Sequence, residues 1–279
     1  MPAPEFVAIG HITLDRFGDT VRPGGAALFA AVTAQRLGLS AGILTSHADD
    51  FPLELIPPQI EVVSVASVET TVFAHSEHGG ARVMNVTSLA RPLGTHDVPD
   101  DWRAAEIVLL APVIDEVDPL IAASFPEATV AAAAQGWLRE RDPGGAVLPR
   151  VWTPPEFLIG LLQAVFLSRE DVIGQEDEII ELYQRIPLGV VTADGQGALL
   201  FVSGERYEVR PRRATQVDAT GAGDVFAAAF LVNFHRHGDP WEAAAAAACA
   251  GSLAVEGEGW SSLPDRRALE AALARYHDE

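Results

Sequence analysis

Short apolar runs alternate with helix-forming stretches along most of this chain, and this alternation restricts the possible folds more than any other feature. Phe6–Ile9 is an apolar run that ends at Gly10, residues 26–37 are rich in helix formers and precede Gly38, and residues 41–45 form the next apolar run. A strand, a helix and a second strand in this order predict parallel strands joined by right-handed crossovers. We therefore expect an α/β fold with a doubly wound, mostly parallel sheet flanked by helices.

The same alternation continues toward the C-terminus. From Gly223 onward the pattern is helical, because Phe226, Phe230 and Phe234 recur every fourth residue and share one face of a helix. The remaining predicted elements are core strands at residues 107–111, 129–133, 164–167 and 188–192, a hairpin at 198–202 and 206–209, and helices at 176–185, at 241–255 and around residues 269–276.

Residues 61–86 differ in character from the rest of the chain. The stretches 62–65, 68–75 and 81–86 are rich in β-forming residues, and Gly79-Gly80 supplies a hairpin turn. We expect a small antiparallel β-rich insertion, or lid, with elements within about residues 11–24 and 61–90. Residues 1–279 then form a single domain, and the lid strands near residues 15–24 are expected to be reduced.

The composition excludes several classes of function. The formal net charge is −20, and all 19 basic residues are arginines. Nucleic-acid binding needs a basic surface, and anionic membrane surfaces repel an acidic chain, so we expect neither partner. The absence of lysine also excludes a P-loop and the strand lysine of protein kinases.

The single cysteine, Cys249, rules out a disulfide within the chain and a metal site built from thiolates. No basic region precedes the first apolar run, and no apolar run is long enough to cross a bilayer. Together these features predict a cytoplasmic location. We expect His11, His47, His75 and His78 to be surface residues, since His75 and His78 lack a third metal ligand nearby.

The segment Val217-Asp218-Ala219-Thr220-Gly221-Ala222-Gly223-Asp224 carries the clearest chemical signal. Small residues that lead into a helix let successive N–H groups converge on one anion, and the first turn of the helix adds unpaired N–H groups. An aspartate beside a phosphate is useful if it takes the proton from an attacking hydroxyl. The pattern predicts phosphoryl transfer, with a tight loop capped by an aspartate as the plain structural alternative.

This segment resembles the D-T-x-G-A-G-D signature of the ribokinase-like (pfkB) carbohydrate kinases, with Ala219 in place of threonine. The resemblance implies a ribokinase-like fold and an ATP-dependent kinase. It assigns Asp224 as catalytic base and the amides of Gly221, Ala222 and Gly223 as the anion hole. Asp218 and Thr220 match positions near the nucleotide phosphates, where some members also bind a monovalent cation such as K⁺.

The N-terminal half is similar to the opening of the same family. Asp15 and the pair Gly24-Gly25 match positions that bind the acceptor's hydroxyl groups, a role that suits a carboxylate facing a polyol. Phe29 stands where members that act on ribose tend to carry asparagine. Without the family, the plain alternatives are a loop-capping aspartate and a turn before a helix.

Weaker matches lie on the nucleotide side. Ser168 and Asp171 stand where the family often has N-x-x-E, which helps to hold Mg²⁺, so Asp171 is an indirect metal candidate. Thr192 and Gly197 match a strand and turn near the nucleotide. The chain departs from the family pattern at Ala133 and Asp194 as well as at Ser168.

Further resemblance narrows the choice of acceptor substrate. Phe29, residues 71–73 with Arg82, and residues 134–139 look similar to the myo-inositol kinase branch, which favours an inositol-like polyol with Arg82 near the acceptor. A furanose or hexose sugar competes closely, and Arg82 has a solvated strand arginine as its plain alternative.

Three rival functions make different demands on the sequence. A nucleoside kinase would differ only in its acceptor pocket, and a catalytically silent sugar- or nucleotide-binding regulator would have no need of Asp224. A dinucleotide-binding oxidoreductase is excluded, because residues 10–15 lack G-x-G-x-x-G. The expected partners are ATP with Mg²⁺ and a small polyol, and no sequence feature supports an oligomer.

Overall fold

The computed structural model describes residues 2–78 and 81–278, with the backbone alone described at residues 77–78 and 81–82. The predicted hairpin turn at Gly79-Gly80 and the side chain of Arg82 lie outside the described residues.

The centre of the molecule is a nine-stranded sheet with the strand order β15-β14-β13-β12-β9-β8-β1-β4-β5. All its pairs are parallel except β13–β14 and β14–β15, which form an antiparallel edge. The fold class predicted from the sequence, a mostly parallel sheet flanked by helices, is confirmed. Its strands are β1 (Phe6–Ile9), β4 (Ala41–His47), β5 (Ile60–Ala66), β8 (Ile107–Leu110), β9 (Thr129–Ala133), β12 (Ala164–Ser168), β13 (Leu188–Thr192), β14 (Ala198–Val202) and β15 (Glu205–Val209).

A smaller four-stranded sheet, here called the lid, has the order β3-β2-β6-β7. Its strands are β2 (Thr13–Phe17), β3 (Thr20–Gly24), β6 (Thr71–His78) and β7 (Ala81–Ser88), and a separate short hairpin consists of β10 (Arg139–Arg141) and β11 (Val147–Pro149). The helices are α1 (Ala26–Arg36), α2 (Glu156–Ile159), α3 (Glu176–Tyr183), α4 (Ala222–His237), α5 (Pro240–Ala254) and α6 (Arg266–Asp278).

Hydrophobic cores cover both faces of the large sheet. Phe6 and Ala8 of β1 point into the core shared with α1, α4 and α5, whereas Val7 and Ile9 point into the core on the opposite face. Alternate residues of a strand face opposite sides, so a strand covered on both faces must be apolar throughout. This is why β1 reads as a continuous apolar run.

The phenylalanine stripe of α4 packs as expected. Phe226 and Phe230 are buried, and the ring of Phe230 meets that of Phe166 on β12 edge to face, with centroids 5.3 Å apart. The helix ends at Gly238, which adopts a left-handed conformation with φ of +69°. The stripe therefore anchors α4 against the sheet and fixes where its N-terminal turn lies.

Two expectations about the lid are wrong. Residues 62–65 belong to β5, which pairs with β4 at the edge of the large sheet, because Val62 faces one core and Val63 and Val65 face the other. The lid is not reduced, since it has four strands; its β2–β3 and β6–β7 pairs are antiparallel as expected, and a parallel β2–β6 pair joins them. Local sequence patterns do not reveal this parallel pair, because its two strands are far apart in the chain.

The expectation that the histidines lie on the surface is wrong for His11 and His47, which are buried. His11 has hydrogen-bond partners for both ring nitrogens, whereas Nε2 of His47 has none. His75 is partly buried and stacks on Phe17, with centroids 4.5 Å apart. His78 falls outside the described side chains.

No helix within residues 2–78 and 81–278 is both long and apolar enough to cross a membrane.

Candidate active site

The loop before α4 turns sharply at Gly221, whose φ of +76° lies in the left-handed region. A Cβ on Gly221 would lie 2.3 Å from the ring of Phe29, so the buried aromatic side chain of α1 packs directly on this glycine. Phe29 was predicted to bind the acceptor. That role stays a prediction; in the structure the Phe29 ring packs against Gly221 and so connects α1 to the loop.

Gly223 faces open space. A Cβ placed on it would have no heavy atom within 4 Å, in contrast to Gly221. The first-turn N–H groups of a helix have no partner within the helix, so the Gly223 amide is available to an anion. The Ala222 N–H already donates to the Ala219 carbonyl oxygen at 3.2 Å. The open face therefore lies at Gly223, beside Asp224.

Asp224 lies in the first turn of α4 and is the only acidic residue there. Burial raises its pKa to about 7. The Arg139 cation opposes this rise, and the Asp171 anion adds to it. A carboxylate with a pKa close to neutrality is suited to accept a proton and to release it again.

Arg139, the first residue of β10, is a cation for which the sequence pattern predicted no separate role. Its charge is felt by Asp171, Asp224, Glu170 and Glu116, and burial lowers its pKa while those carboxylates raise it. No hydrogen bond or ion pair to its guanidinium is found in the part of the chain that the structure describes. A half-buried guanidinium without a direct partner is suited to bind an anion such as phosphate.

The predicted nucleotide-side residues come together at the ends of β12 and β13. Ser168 and Thr192 are paired across these strands, and the Asp171 carboxylate accepts hydrogen bonds from the Ser168 hydroxyl (2.6 Å) and the Gln135 amide (3.2 Å). Gly197 closes the turn after β13 with φ of +94°, where a Cβ would lie 2.1 Å from a backbone oxygen. Asp171 is thus held in one position close to Asp224.

Asp218 stabilises the conformation of the loop that precedes α4. Although burial alone would raise its pKa, hydrogen bonds from Thr220 and Gly259 and the Arg22 cation hold the pKa of Asp218 below its usual value. Its carboxylate accepts the Thr220 N–H at 2.9 Å. Arg22 of the lid lies 3.7 Å from Asp218 and 3.6 Å from Glu258, so the lid meets the loop at this point.

The acceptor-side residues lie where the lid joins α1. Asp15 is buried on β2, and a Cβ on Gly24 would lie 2.2 Å from its carboxylate, so the side chain covers this glycine. Burial raises the pKa of Asp15 to about 6, although a hydrogen bond from the Thr13 hydroxyl lowers it. Gly25 has φ of +103° and begins the turn into α1.

The residues present fit a metal that arrives with a phosphate ligand. Among residues 2–78 and 81–278 no group of three or more acidic, histidine or cysteine side chains is placed to hold a metal ion. Mg²⁺ keeps several waters and needs only one or two carboxylates when substrate phosphates complete its shell. Asp171, which accepts hydrogen bonds on both carboxylate oxygens, suits that indirect role.

Comparison with known proteins bears on this geometry. The family model described as "pfkB family carbohydrate kinase" matches residues 162–266. A cytidine kinase of Thermococcus kodakarensis is 25% identical over 266 residues, covering 85% of this chain and 91% of that protein. A fructokinase of Klebsiella pneumoniae is 26% identical over 287 residues, covering 90% of this chain and 92% of that protein.

Solved structures share the fold. A pyrophosphate-dependent myo-inositol-1 kinase superposes with a TM-score of 0.81 at 22% identity, covering 97% of this chain and 99% of that one. The ribokinase of Arabidopsis thaliana, solved with ribose and ATP, superposes with a TM-score of 0.71 at 20% identity, covering 97% and 99%. Residues 162–266 thus resemble the pfkB family carbohydrate kinases, and the chain as a whole has the ribokinase-like fold.

Proposed function

We propose that the chain transfers the γ-phosphoryl group of ATP to a hydroxyl group of a small neutral polyol, with Asp224 as the catalytic base. The observation that carries this proposal is the position of Asp224. It lies in the first turn of α4 beside the open face of Gly223, and burial raises its pKa to about 7. Both a base and a site for an anion are therefore offered at one point.

The reaction needs positioning and charge stabilisation more than covalent chemistry by the protein. The oxygen of the acceptor hydroxyl forms a bond to the γ-phosphorus, and Asp224 takes the proton of that hydroxyl. The bond from that phosphorus to the bridging oxygen breaks, and ADP leaves. The Gly223 amide and the Arg139 guanidinium face the charge on the transferred group.

Mg²⁺ bound with the donor would neutralise part of the phosphate charge. Asp171, fixed by Ser168 and Gln135, is the carboxylate that would hold its water shell. Asp218 and Thr220 keep the loop in shape through their hydrogen bond. Thr192 and Gly197 flank the donor side at the end of β13.

Asp15 supports a neutral, hydroxyl-bearing acceptor. A buried carboxylate with Gly24 packed against it can accept hydrogen bonds from one or two hydroxyl groups. We place an inositol-like cyclitol first, on the resemblance of residues 71–73, 82 and 134–139 to that branch and on the fold shared with a myo-inositol kinase. The cytidine kinase and fructokinase relatives make a nucleoside or a hexose the competing acceptors.

Pyrophosphate is a second candidate donor. The inositol kinase of the same fold is described as pyrophosphate-dependent, and its TM-score of 0.81 exceeds the 0.71 of the ribokinase solved with ATP. The amide and guanidinium groups above bind a phosphate of either donor. Donor choice therefore belongs in the same experiment as acceptor choice.

The test is a matrix of ATP or pyrophosphate with Mg²⁺ against myo-inositol, fructose, ribose and cytidine, with the products read by phosphorus NMR. We expect turnover of one acceptor, and a loss of about 10²–10⁴-fold in kcat for Asp224→Asn with donor binding retained. Asp177→Asn on the exposed face of α3 is the matched control and should behave as wild type. Full activity of Asp224→Asn refutes the assigned base, and donor binding without any turnover supports a silent binding protein.

A further inference from the structure

The chain passes between the large sheet and the lid four times. It leaves β1 for β2 through residues 10–12, and it returns from β3 to α1 at Gly24-Gly25. It leaves β5 for β6 through residues 67–70, and it returns from β7 through residues 89–91. The position of the lid over the acceptor side depends on how these four connections are held.

His11 belongs to the first connection, and it contacts the second and fourth connections and Thr71, which directly follows the third. The Nδ1 atom of His11 accepts from the Thr71 hydroxyl (2.8 Å) at the start of β6, and its Nε2 lies 2.9 Å from the Arg91 carbonyl oxygen after β7. The Arg91 carbonyl oxygen can only accept, so Nε2 donates to it, and in that tautomer Nδ1 accepts from the Thr71 hydroxyl. Thr71 Oγ1 also accepts the Ala90 N–H at 3.0 Å. A Cβ on Gly25 would lie 2.4 Å from the His11 carbonyl oxygen, so the connection at Gly24-Gly25 also packs on His11.

Glu116 holds this residue to the large sheet. Its carboxylate is buried and accepts the N–H groups of His11 (3.0 Å), Val113 (2.9 and 3.0 Å) and Ile114 (2.7 Å). These amides supply the hydrogen bonds that a buried carboxylate requires. Glu116 thus joins the end of β1 to the segment that follows β8.

The residues that bind the Glu116 carboxylate lie next to the lid on one side and next to Asp15 on the other. Val113 and Ile114 share a small apolar cluster with Phe73 and Val86 of the lid. His11 precedes Asp15 by four residues on a connection that the same bonds hold in place, and the charge of Glu116 is felt by Arg139. A shift at Glu116 would therefore move the lid and Asp15 relative to Asp224.

We propose that Glu116, acting through His11, is a positioning residue that sets the lid and its Asp15 over the acceptor at the distance needed for transfer. This inference rests on the proposed function and deepens it. Neither residue touches the reacting atoms. A displacement of the acceptor by about 1 Å can cost on the order of 100-fold in rate, and a displaced lid admits water as a competing acceptor.

The experiment compares Glu116→Gln with Glu5→Gln in the full-length chain. Glu5 is a fitting control, because its carboxylate also accepts a backbone N–H, that of Ser40 at 2.7 Å, but at the opposite end of β1. For each variant the rate of acceptor phosphorylation and the rate of donor hydrolysis to water are measured together. Thr71→Val removes the hydroxyl group that donates a hydrogen bond to His11. It serves as a second variant should Glu116→Gln fail to fold.

We expect Glu116→Gln to lower kcat for transfer by about 10- to 100-fold, with a rise in hydrolysis per transfer and little change in the KM for the donor. Glu5→Gln should leave both rates unchanged. A folded Glu116→Gln and Thr71→Val with wild-type kcat and coupling would overturn the proposal, as would an equal effect of Glu5→Gln.

Hydrogen exchange separates this inference from the proposed function. Backbone amides of residues 13–24 should exchange faster in Glu116→Gln than in wild type or Glu5→Gln, whether or not an acceptor has been found. Absence of turnover by wild type would count against the proposed function alone. Unchanged exchange in Glu116→Gln would count against the positioning role.

Discussion

Replacement of Gly223 by alanine should stabilise the protein while it removes the activity. Gly223 lies in the first turn of α4, its φ is not among the positive values, and an added Cβ would meet no atom within 4 Å. Alanine is favoured over glycine in a helix by about 0.5–1 kcal/mol. For a chain of this size that corresponds to a rise in Tm of about 1–4 °C.

The same methyl group would obstruct the donor. Cα–Cβ bonds in a helix tilt toward its N-terminus, which is the side from which an anion approaches the first-turn amides. The new Cβ at residue 223 therefore occupies the open face beside Asp224. Loss of one such donor costs about 10²–10³-fold in rate, so kcat/KM for Gly223→Ala should fall by at least about 100-fold.

The assay pairs differential scanning fluorimetry with steady-state kinetics. Gly160→Ala is the control, because this glycine also has helical φ and ψ (−69° and −16°), has ordinary contacts of 3.6 Å and lies at the end of α2 away from the site. Gly160→Ala should change stability slightly and leave kcat/KM unchanged. A Gly223→Ala variant with wild-type kcat/KM would refute the assignment of the anion site to this turn.

Further outcomes follow from the charges of the site. The kcat/KM of wild type should fall about tenfold per pH unit below about 7, because protonated Asp224 accepts no proton; a flat profile to pH 5 would contradict this. Arg139→Gln should lower kcat and shift the acidic fall of kcat/KM to higher pH, since the Arg139 cation lowers the pKa of Asp224. In thermal unfolding, Asp224→Asn should be more stable than wild type at pH 8, by at most about 4 kcal/mol, and lose this advantage by pH 4. The folded protein binds this proton more tightly than the unfolded chain between pH 3.8 and about 7, so stability from this group is lost as pH rises through that window. Asp15→Asn should raise the KM for the acceptor more than that for the donor, and an equal rise in both would contradict its assignment.

Local sequence patterns predicted the glycine-rich loop before α4 and most of the strands. The run from Gly221 to Asp224 leads into α4 as expected, because glycine can adopt the left-handed conformation that the turn before the helix requires. Phe6–Ile9 is a buried strand, since an apolar run bounded by glycine is short enough to span one sheet. The roles of the loop residues stay predictions until the variants are measured.

Pairing between distant segments was less predictable. Residues 62–65 have the composition of either a lid strand or a core strand, and only their pairing with β4 and their contacts with both cores place them in the large sheet. His11 was expected at the surface. It is buried because Thr71 and the Arg91 carbonyl oxygen, 60 and 80 residues away, satisfy both ring nitrogens.

Periodicity and residue type in the sequence were sufficient to predict a parallel α/β sheet and to mark Asp224, because those signals act over a few neighbouring residues. The charge environment of that aspartate comes from Arg139 and Asp171, which lie 85 and 53 positions earlier in the chain. Burial and Coulomb interactions depend on distance in space, so the raised pKa of Asp224 and the link from Glu116 to the lid exist only once the chain has folded.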